Sequence, residues 1–303
     1  MFIRILPLIL LFGLGVFYRR SNVLTFEDGR SLSKLVIYIT MPCLAFISFS
    51  QAQYTTNEFF TLPALGLIIP FILFFISSIV SRKLNLEKRT LAVFLSSATI
   101  ANLSFFLYPF FEIYYGKEGL VKLIMFDLGN TISAYTLAYF IVLRYGAEKQ
   151  HSLTHDILNL LKFPPLWGIV LGIIYGFVSN KSLFILPNSL LDVIERVGQS
   201  NSVVAMIVLG VYFNLSIKQP QATTWAIFIR MVCGMAIGAL FAWILNLSGL
   251  IKLVAILAPG MPVGLSIIVY SIQHDLDTEF AISILSLSLI LGVIIVLLFM
   301  PVI

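Results

Sequence analysis

The chain has 303 residues, of which 59% are hydrophobic and 11% are charged, and its formal net charge is +5. A soluble globular protein carries roughly 25% charged residues, so this composition excludes a typical soluble domain and indicates a membrane protein. The two cysteines, Cys43 and Cys233, lie in apolar stretches and indicate neither a disulfide framework nor a metal site. No Walker loop, nucleophile elbow or zinc-protease motif occurs, so we predict neither an enzyme nor a bound cofactor.

Apolar segments long enough to cross about 30 Å of hydrocarbon follow one another with only short polar gaps. The first segment precedes Arg19 and Arg20 and has no small-residue cleavage site, so we interpret it as a span rather than a signal peptide. The predicted fold is therefore an all-α polytopic membrane protein. We predict ten transmembrane helices, at residues 2–18, 31–50, 59–81, 91–113, 120–144, 157–178, 188–213, 223–246, 249–272 and 279–303.

The lysines and arginines concentrate in one set of alternate connections. Examples are Arg19 and Arg20 after the first predicted span and Arg82 and Lys83 after the third, whereas the opposite side has few basic residues. Because positively charged loops stay in the cytoplasm, both termini are predicted to face away from it. Basic and aromatic residues are not interleaved, so we predict no nucleic-acid partner.

The ninth predicted span contains the stretch LAPGMPVGLSIIVY at residues 257–270. Its prolines and glycines fall within six positions: Pro259, Gly260, Pro262 and Gly264. Proline removes a backbone donor and clashes with the preceding turn, and glycine loosens the backbone further. The pattern predicts an interrupted helix in the middle of the membrane.

The chain also contains a weak internal repeat. An offset of 158 residues (165 − 7) places Pro7 on Pro165, and the same offset places Ser31 on Ser189. Five predicted spans in each half give the second half the opposite orientation, so residues 1–150 and 151–303 are predicted to form an inverted repeat. Transporters built in this way bind substrate near the membrane midplane, where equivalent helices of the two halves are broken.

The repeat sets ATIANLSFFLYPFF, in the fourth predicted span, against the interrupted ninth span. This stretch contains Asn102, Ser104 and Pro109. Each break creates a half-helix whose N-terminus has free N–H groups and about half a positive charge. Neither break contains a carboxylate, so we expect a neutral polar site for an anion, with the prolines and glycines freeing N–H groups to bind it.

Three further polar residues in the spans are candidates for function. Asp127 and Asn130 lie within one helical turn of the fifth span and are predicted to line the cavity, with Asn130 as a substrate-binding residue. Asp127 has a structural alternative, an ion pair with Arg230 of the eighth span. Glu112 lies near the end of the fourth span and is, like Asp127, a candidate for proton or ion coupling.

The residues that carry these features resemble the auxin efflux carrier family, which contains plant PIN proteins and bacterial malate and malonate permeases. The likeness rests on ITMPCLAFISF, ANLSFFLYPF, FDLGN and APGMPVGLSIIVYSIQHD, and it covers the whole chain. It implies two inverted five-helix repeats with crossed, broken helices 4 and 9, as in sodium/proton antiporters and bile acid symporters. It also implies a scaffold domain of helices 1, 2, 6 and 7 and a transport domain of helices 3–5 and 8–10.

The resemblance implies a role for particular residues at the crossover. Asn102 would hold a substrate carboxylate together with backbone groups at Leu103 and Ser104, and Pro109 and Pro259 would shape the crossover. The bulky Leu103 departs from the glycine-rich sequence common in the family, and the second crossover has no asparagine. The remaining substrate-binding residues implied are Gly260, Met261, Pro262 and Gly264, with Pro42 and Cys43 on the scaffold side.

These features predict a secondary active or potential-driven carrier of a small organic anion, such as an auxin-like compound or a dicarboxylate, working by elevator-type alternating access. One alternative is a sodium-coupled symporter of the bile acid class, and another is a membrane sensor that binds its ligand without transport. Apart from the substrate, the expected partners are the lipid bilayer, with protons or sodium as candidate coupling ions and a homodimer as a candidate assembly. The expected location is the bacterial inner membrane.

Overall fold

The computed structural model describes residues 2–51, 56–145 and 163–300. Within these residues the regular secondary structure is helical, apart from one antiparallel bridge between Ala101 and Val263. The described part of the chain is therefore all-helical, and its apolar helices fit a polytopic membrane protein. The predicted boundary between the two halves, at residues 150 and 151, lies outside the described residues.

The N-terminal part of the chain forms seven described helices. They are α1 (Phe2–Arg20), α2 (Phe26–Leu35), α3 (Met41–Gln51), α4 (Thr56–Ser81), α5 (Lys88–Ser97), α6 (Tyr108–Ser133) and α7 (Tyr139–Tyr145). Two π-helical turns, Val36–Thr40 and Leu103–Leu107, lead into α3 and α6. Within α6, Gly116 has φ 57° and ψ −153°, so two helices meet there at a glycine that allows this backbone conformation.

The C-terminal part forms seven more. They are α8 (Pro164–Asn180), α9 (Asn188–Tyr212), α10 (Pro220–Ile227), α11 (Gly234–Ile244), α12 (Gly249–Leu257), α13 (Ser266–Gln273) and α14 (Thr278–Phe299). A π-helical turn, Phe228–Cys233, joins α10 to α11, and a 3-10 turn, Ala258–Gly260, extends α12. The side chain of Asp277 accepts a hydrogen bond from the N–H of Phe280 and so caps the start of α14.

Four helical segments in the described part of the chain are long and apolar enough to cross a membrane. The interrupted helices are much shorter, since α5 has 10 residues and α12 has 9, against the roughly 20 that a straight span requires. The count of ten spans therefore stays a prediction. The four long segments are Phe26–Gln51, Glu58–Ser81, Pro220–Ile244 and Thr278–Phe299.

The helices form two compact units, of which the first contains α1 to α3, the stretch Ser104–Ile124, and α8 and α9. In this unit α3 packs closely on α8 because three glycines of α8, each four residues from the next, face the backbone of α3. Small residues at this spacing let membrane helices approach and gain van der Waals contact. The pairs in contact are Gly168 with Pro42, Gly172 with Phe46, and Gly176 with Ser50.

The second unit contains α4, α5, the part of the chain from Met125 to α7, and α10 to α14. Here α14 contributes buried serines whose hydroxyl oxygens accept hydrogen bonds from backbone N–H groups of irregular segments. Ser286 accepts from Asn214 at 2.9 Å, and Ser283 accepts from Lys218 at 3.1 Å. Backbone N–H groups outside helices need an acceptor from the protein or from water, and α14 supplies two of them here.

Candidate functional site

The first interruption follows α5. The helix ends at Ser97 with Ala98 as its C-cap, and Ser97 and Thr99 donate their hydroxyls to the carbonyls of Phe94 and Ser96. Such local bonds compete with the helical pattern and favour termination. Pro109 lies farther along, in the first turn of α6, where it cannot donate to the π-helical turn before it.

The second interruption follows α12. After the 3-10 turn, Met261 is extended at φ −77° and ψ 160°, which is the conformation that a residue before proline prefers. Pro262 therefore sets an extended stretch that ends where α13 begins at Ser266. Pro262 of the sequence motif thus interrupts the helix in two ways: it lacks a backbone N–H donor, and it favours an extended backbone at the residue before it.

The two interruptions are hydrogen-bonded to each other. Ala101 and Val263 form the antiparallel bridge, and the N–H of Asn102 donates to the carbonyl oxygen of Pro262 at 2.8 Å. The N–H of Gly264 donates to the carbonyl oxygen of Ile100 at 2.9 Å. A Cβ at Gly264 would lie 2.5 Å from the Cγ2 atom of Ile100, so glycine is what allows this approach.

A side chain from a long helix supports each side of the bridge. The Asn130 amide accepts from the Ala101 N–H at 3.0 Å through its oxygen, and its nitrogen donates to the Ala101 carbonyl at 3.2 Å and to Asp127 at 2.8 Å. Ser288 of α14 accepts from the Val263 N–H at 3.2 Å. Asn130, predicted to bind substrate, thus holds the backbone and orients Asp127.

Arg230 is fully buried, with 1% of its surface exposed, and it reaches both interruptions. Its Nη1 donates to the carbonyl of Ala98 at 3.0 Å, and its Nε donates to the carbonyl of Met261 at 3.4 Å. The alternative considered for Asp127, an ion pair with Arg230, is not seen among the described residues, where Arg230 instead donates to two main-chain carbonyls. The sequence indicates this residue only as a lone charge within an apolar span, a pattern that marks functional positions in membranes.

The expectation that prolines and glycines free N–H groups for an anion is wrong at three positions of the second interruption. The N–H of Met261 donates to Ala258, that of Val263 to Ser288, and that of Gly264 to Ile100. Met261 itself is fully buried. Protein acceptors, not an open site, satisfy these backbone donors because unpaired N–H groups cost several kcal/mol in a membrane.

The side chain of Asn102 has a free hydrogen-bond donor in the described part of the chain, whereas the three backbone N–H groups of the second interruption do not remain free. Its side chain is 3% exposed, and its Nδ2 has no hydrogen-bond partner among the described residues. A buried donor without a partner costs about 1–3 kcal/mol, which a bound acceptor would recover. Leu103, next to it, is also buried.

Five of the predicted site residues belong to the first unit. Ser104, Pro109 and Glu112 are in its stretch Ser104–Ile124, and Pro42 and Cys43 are half-buried in α3. Glu112 accepts a hydrogen bond of 2.5 Å from the hydroxyl of Ser202 in α9. Elsewhere in this unit, Lys117 forms a 2.6 Å ion pair with Glu195. No group of three or more potential metal ligands occurs among the described residues.

A family model described as membrane transport protein matches residues 1–303. The chain belongs to this family. It is the auxin efflux carrier family that the sequence motifs resemble, so that prediction is confirmed. Members of the membrane transport protein family are transporters, which also confirms that this chain is not an enzyme.

The alignments with individual relatives cover most of the transporter. It is 25% identical over 285 residues to an uncharacterized transporter of Methanocaldococcus jannaschii, with 91% of this chain and 90% of the relative covered. An uncharacterized transporter of Methanothermobacter thermautotrophicus is 26% identical over 294 residues, with 96% and 94% covered. The uncharacterized transporter YfdV of Escherichia coli is 26% identical over 215 residues, with 68% and 66% covered.

Proposed function

We propose that this transporter is a secondary carrier of a small organic anion, which binds at the hydrogen-bonded interruptions of the second unit. The observation that carries the proposal is the buried Asn102 amide, whose Nδ2 has no partner among the described residues. A carboxylate oxygen would accept from it and form a charge-assisted bond, which is roughly twice as strong as a neutral one. The substrate class is thus a small carboxylate, either auxin-like or a dicarboxylate.

The charge at the interruptions favours an anion. The buried Arg230 donates to the carbonyls of Ala98 and Met261, so these two acceptors are not available to a cation. The helical segments that begin after the breaks, at Leu103 and Ser266, present N-terminal ends with partial positive charge. A carboxylate complements these N-terminal ends, whereas a cationic substrate would find the two C-terminal carbonyls already engaged by Arg230.

Asp127 is the proposed coupling group in this unit. It is buried with 5% exposure and accepts a hydrogen bond from Asn130, which in turn holds the backbone of the first interruption. Protonation of the carboxylate removes a negative charge from the unit that binds the anion. Transport driven by a proton gradient therefore depends on Asp127 in this proposal, with Glu112 of the first unit as the second candidate.

The inverted repeat and the elevator mechanism are part of the proposal. Asn130 and Ser288, which support the two sides of the bridge, are separated by the same offset of 158 residues (288 − 130) that aligns the sequence halves. The division into two compact units suits a scaffold and a transport domain. The stretch Ser104–Ile124 falls in the first unit, which differs from the domain assignment that the resemblance implies.

The proposal is tested by uptake into proteoliposomes. Radiolabelled malonate, malate and indole-3-acetate are offered with an imposed potential or pH gradient, to the wild type and to Asn102→Ala. Loss of a hydrogen bond to a charged group costs about 1.5–3 kcal/mol, so uptake at low substrate concentration is expected to fall about tenfold or more. Ser77→Ala is the control, because Ser77 is also buried in the second unit with a hydroxyl that has no partner among the described residues.

Each outcome of this experiment is informative. Equal uptake by the wild type and Asn102→Ala contradicts the assigned site, and loss of uptake in Ser77→Ala shows that the assay reports folding instead. Binding of a panel member without flux across the membrane favours the sensor alternative. A wild type that neither binds nor moves any member of the panel contradicts the proposed substrate class.

A further inference from the structure

We infer that Arg230 is the built-in cation of this carrier: it occupies the place at two helix C-termini where a coupling sodium ion would bind, so anion binding and transport need no sodium. The inference rests on the proposed function and goes beyond it by identifying what replaces the coupling ion. Arg230 acts here as a positioning and charge-balancing residue, through the helix ends that it joins.

The first argument concerns the two carbonyl groups that accept hydrogen bonds from Arg230. Ala98 is the C-cap residue of α5, and Met261 is the C-cap residue of the 3-10 turn that extends α12. The guanidinium donates to the carbonyl oxygens of both. One side chain therefore caps the C-terminal ends of the two helices that precede the interruptions. In broken-helix transporters, these carbonyl ends are the groups that coordinate the coupling cation.

The second argument is charge balance. Each helix C-terminus carries a partial charge of about −0.5, so two such ends together carry about −1, and one guanidinium balances them. The described residues include no carboxylate in an ion pair with Arg230. An arginine cannot be deprotonated under ordinary conditions, so its charge is permanent. The helix ends are neutralised whether or not an ion is present.

The third argument is the local backbone. Arg230 lies within the π-helical turn Phe228–Cys233 between α10 and α11. Single π-helical turns inside α-helices occur frequently at functional sites, because the extra residue redirects a side chain. Its neighbours Ile229 and Met231 are buried apolar residues, so the turn brings one charge into an otherwise apolar environment. Such a charge in a membrane is costly and is retained where it has a role.

The two hydrogen bonds of Arg230 determine which groups at the interruptions remain available to a ligand. With both C-terminal ends bound by Arg230, the buried side-chain donor left without a partner at the described interruptions is Asn102 Nδ2, which favours an anion. A sodium ion would find the two C-cap carbonyls already engaged and a positive charge beside them. The bile acid symporter alternative requires a sodium ion, so this arrangement argues against it.

The first test compares salts with the wild-type protein. Binding and proteoliposome uptake of the malonate, malate and indole-3-acetate panel are measured in sodium chloride, potassium chloride and choline chloride at constant ionic strength. We expect the same affinity and rate in all three. A severalfold stimulation by sodium overturns the inference while leaving the proposed function intact. Absence of binding and flux in every salt contradicts the proposed function. The inference is then tested by the melting temperature of the Arg230→Gln variant with and without methylguanidinium.

The second test replaces the cation. Arg230→Gln should lose anion binding at least tenfold in choline chloride, and added methylguanidinium should restore binding and raise the melting temperature of the variant but not of the wild type. Arg230→Lys should retain part of the binding without an additive. Asn102→Ala is the control, since no cation should rescue it.

If Arg230→Gln folds and no cation restores either binding or stability, the inference is wrong. If Arg230→Gln does not fold, the salt comparison and the Arg230→Lys variant test the inference instead. An Arg230→Lys protein that reaches wild-type activity only in sodium chloride contradicts the inference.

Discussion

The main-chain N–H of Asn102 donates to the carbonyl oxygen of Pro262 at 2.8 Å, and this bond joins the two interruptions next to the side-chain Nδ2, which has no partner among the described residues. The main-chain position of Asn102 is thus held by a residue from the other half of the chain. Changes at the second interruption should therefore alter binding at the first, even where they touch no ligand.

Gly264→Ala tests this dependence. The new Cβ would lie 2.5 Å from the Cγ2 atom of Ile100, so the two extended stretches must separate and the bond from Gly264 to Ile100 must lengthen. We expect a loss of about 1–3 kcal/mol in stability, measured by thermal unfolding in detergent, together with reduced uptake. Gly13→Ala is the control, because nothing lies within 4 Å of a Cβ at Gly13. Equal melting temperatures for the two variants would show that the bridge is not tightly packed.

Asn130→Ala should be more destabilising than Ser288→Ala. The first change removes three hydrogen bonds and leaves the Ala101 N–H without its acceptor, whereas the second removes two, the one that Ser288 accepts from Val263 and the one that it donates to Leu285. Each buried group left unsatisfied costs about 1–3 kcal/mol. Thermal unfolding of the two variants gives the comparison. The opposite order would mean that the second interruption, not the first, depends on side-chain support.

The interruptions themselves were predictable because proline and glycine act locally. The cluster from Pro259 to Gly264 predicts loss of helix without any knowledge of the partner, and the internal repeat indicates which stretch pairs with it. The register was not predictable, because the bridge between Ala101 and Val263 depends on contacts between residues far apart in sequence. For the same reason the sequence did not show that the freed N–H groups find acceptors at Ile100 and Ser288.

The sequence indicated Arg230 only as a candidate partner of Asp127 and did not predict its bonds to the two interruptions. A lone arginine in an apolar span predicts a role, but the choice of partner depends on geometry. Asp127 was a chemically reasonable partner, and the structure instead gives the guanidinium two helix C-termini. Carbonyl groups at helix ends leave no mark in the amino-acid sequence, since every residue has one.

Gly172→Val tests the packing of the first unit. A Cβ at Gly172 would lie 2.6 Å from the carbonyl oxygen of Phe46, so a branched side chain forces α8 away from α3. The expected cost is about 1–3 kcal/mol, and more if the neighbouring glycine contacts also open. Ile174→Val on the same helix is the control, because Ile174 is 54% exposed. A Gly172→Val protein as heat-resistant as the wild type would contradict close packing at this position.

The ion pair between Lys218 and Glu279 gives a prediction about pH. A hydrogen bond and the charge of the Glu279 carboxylate raise the pKa of the Lys218 ammonium, with a further contribution from Asp277. A raised pKa means that the stabilisation is complete below the unfolded-state pKa of about 10.4 and disappears as the pH rises through the folded-state value. The difference in melting temperature between wild type and Lys218→Met should therefore be small at pH 7, shrink in high salt, and vanish at strongly alkaline pH. A difference that grows with alkaline pH would contradict this.

The bridge between Ala101 and Val263 also constrains the order in which the protein is made. When the first half enters the bilayer, the second half has not yet been synthesised, so the extended backbone at Ala101 has only Asn130 from its own half as a partner. The carbonyl of Ile100 and the N–H of Asn102 gain their partners only after Pro262 and Gly264 arrive. Long-range pairing of this kind forms late, and unpaired backbone in hydrocarbon is costly. The site that would bind the anion is thus among the last parts of the molecule to form, and a ribosome that stops before residue 262 leaves a chain without it.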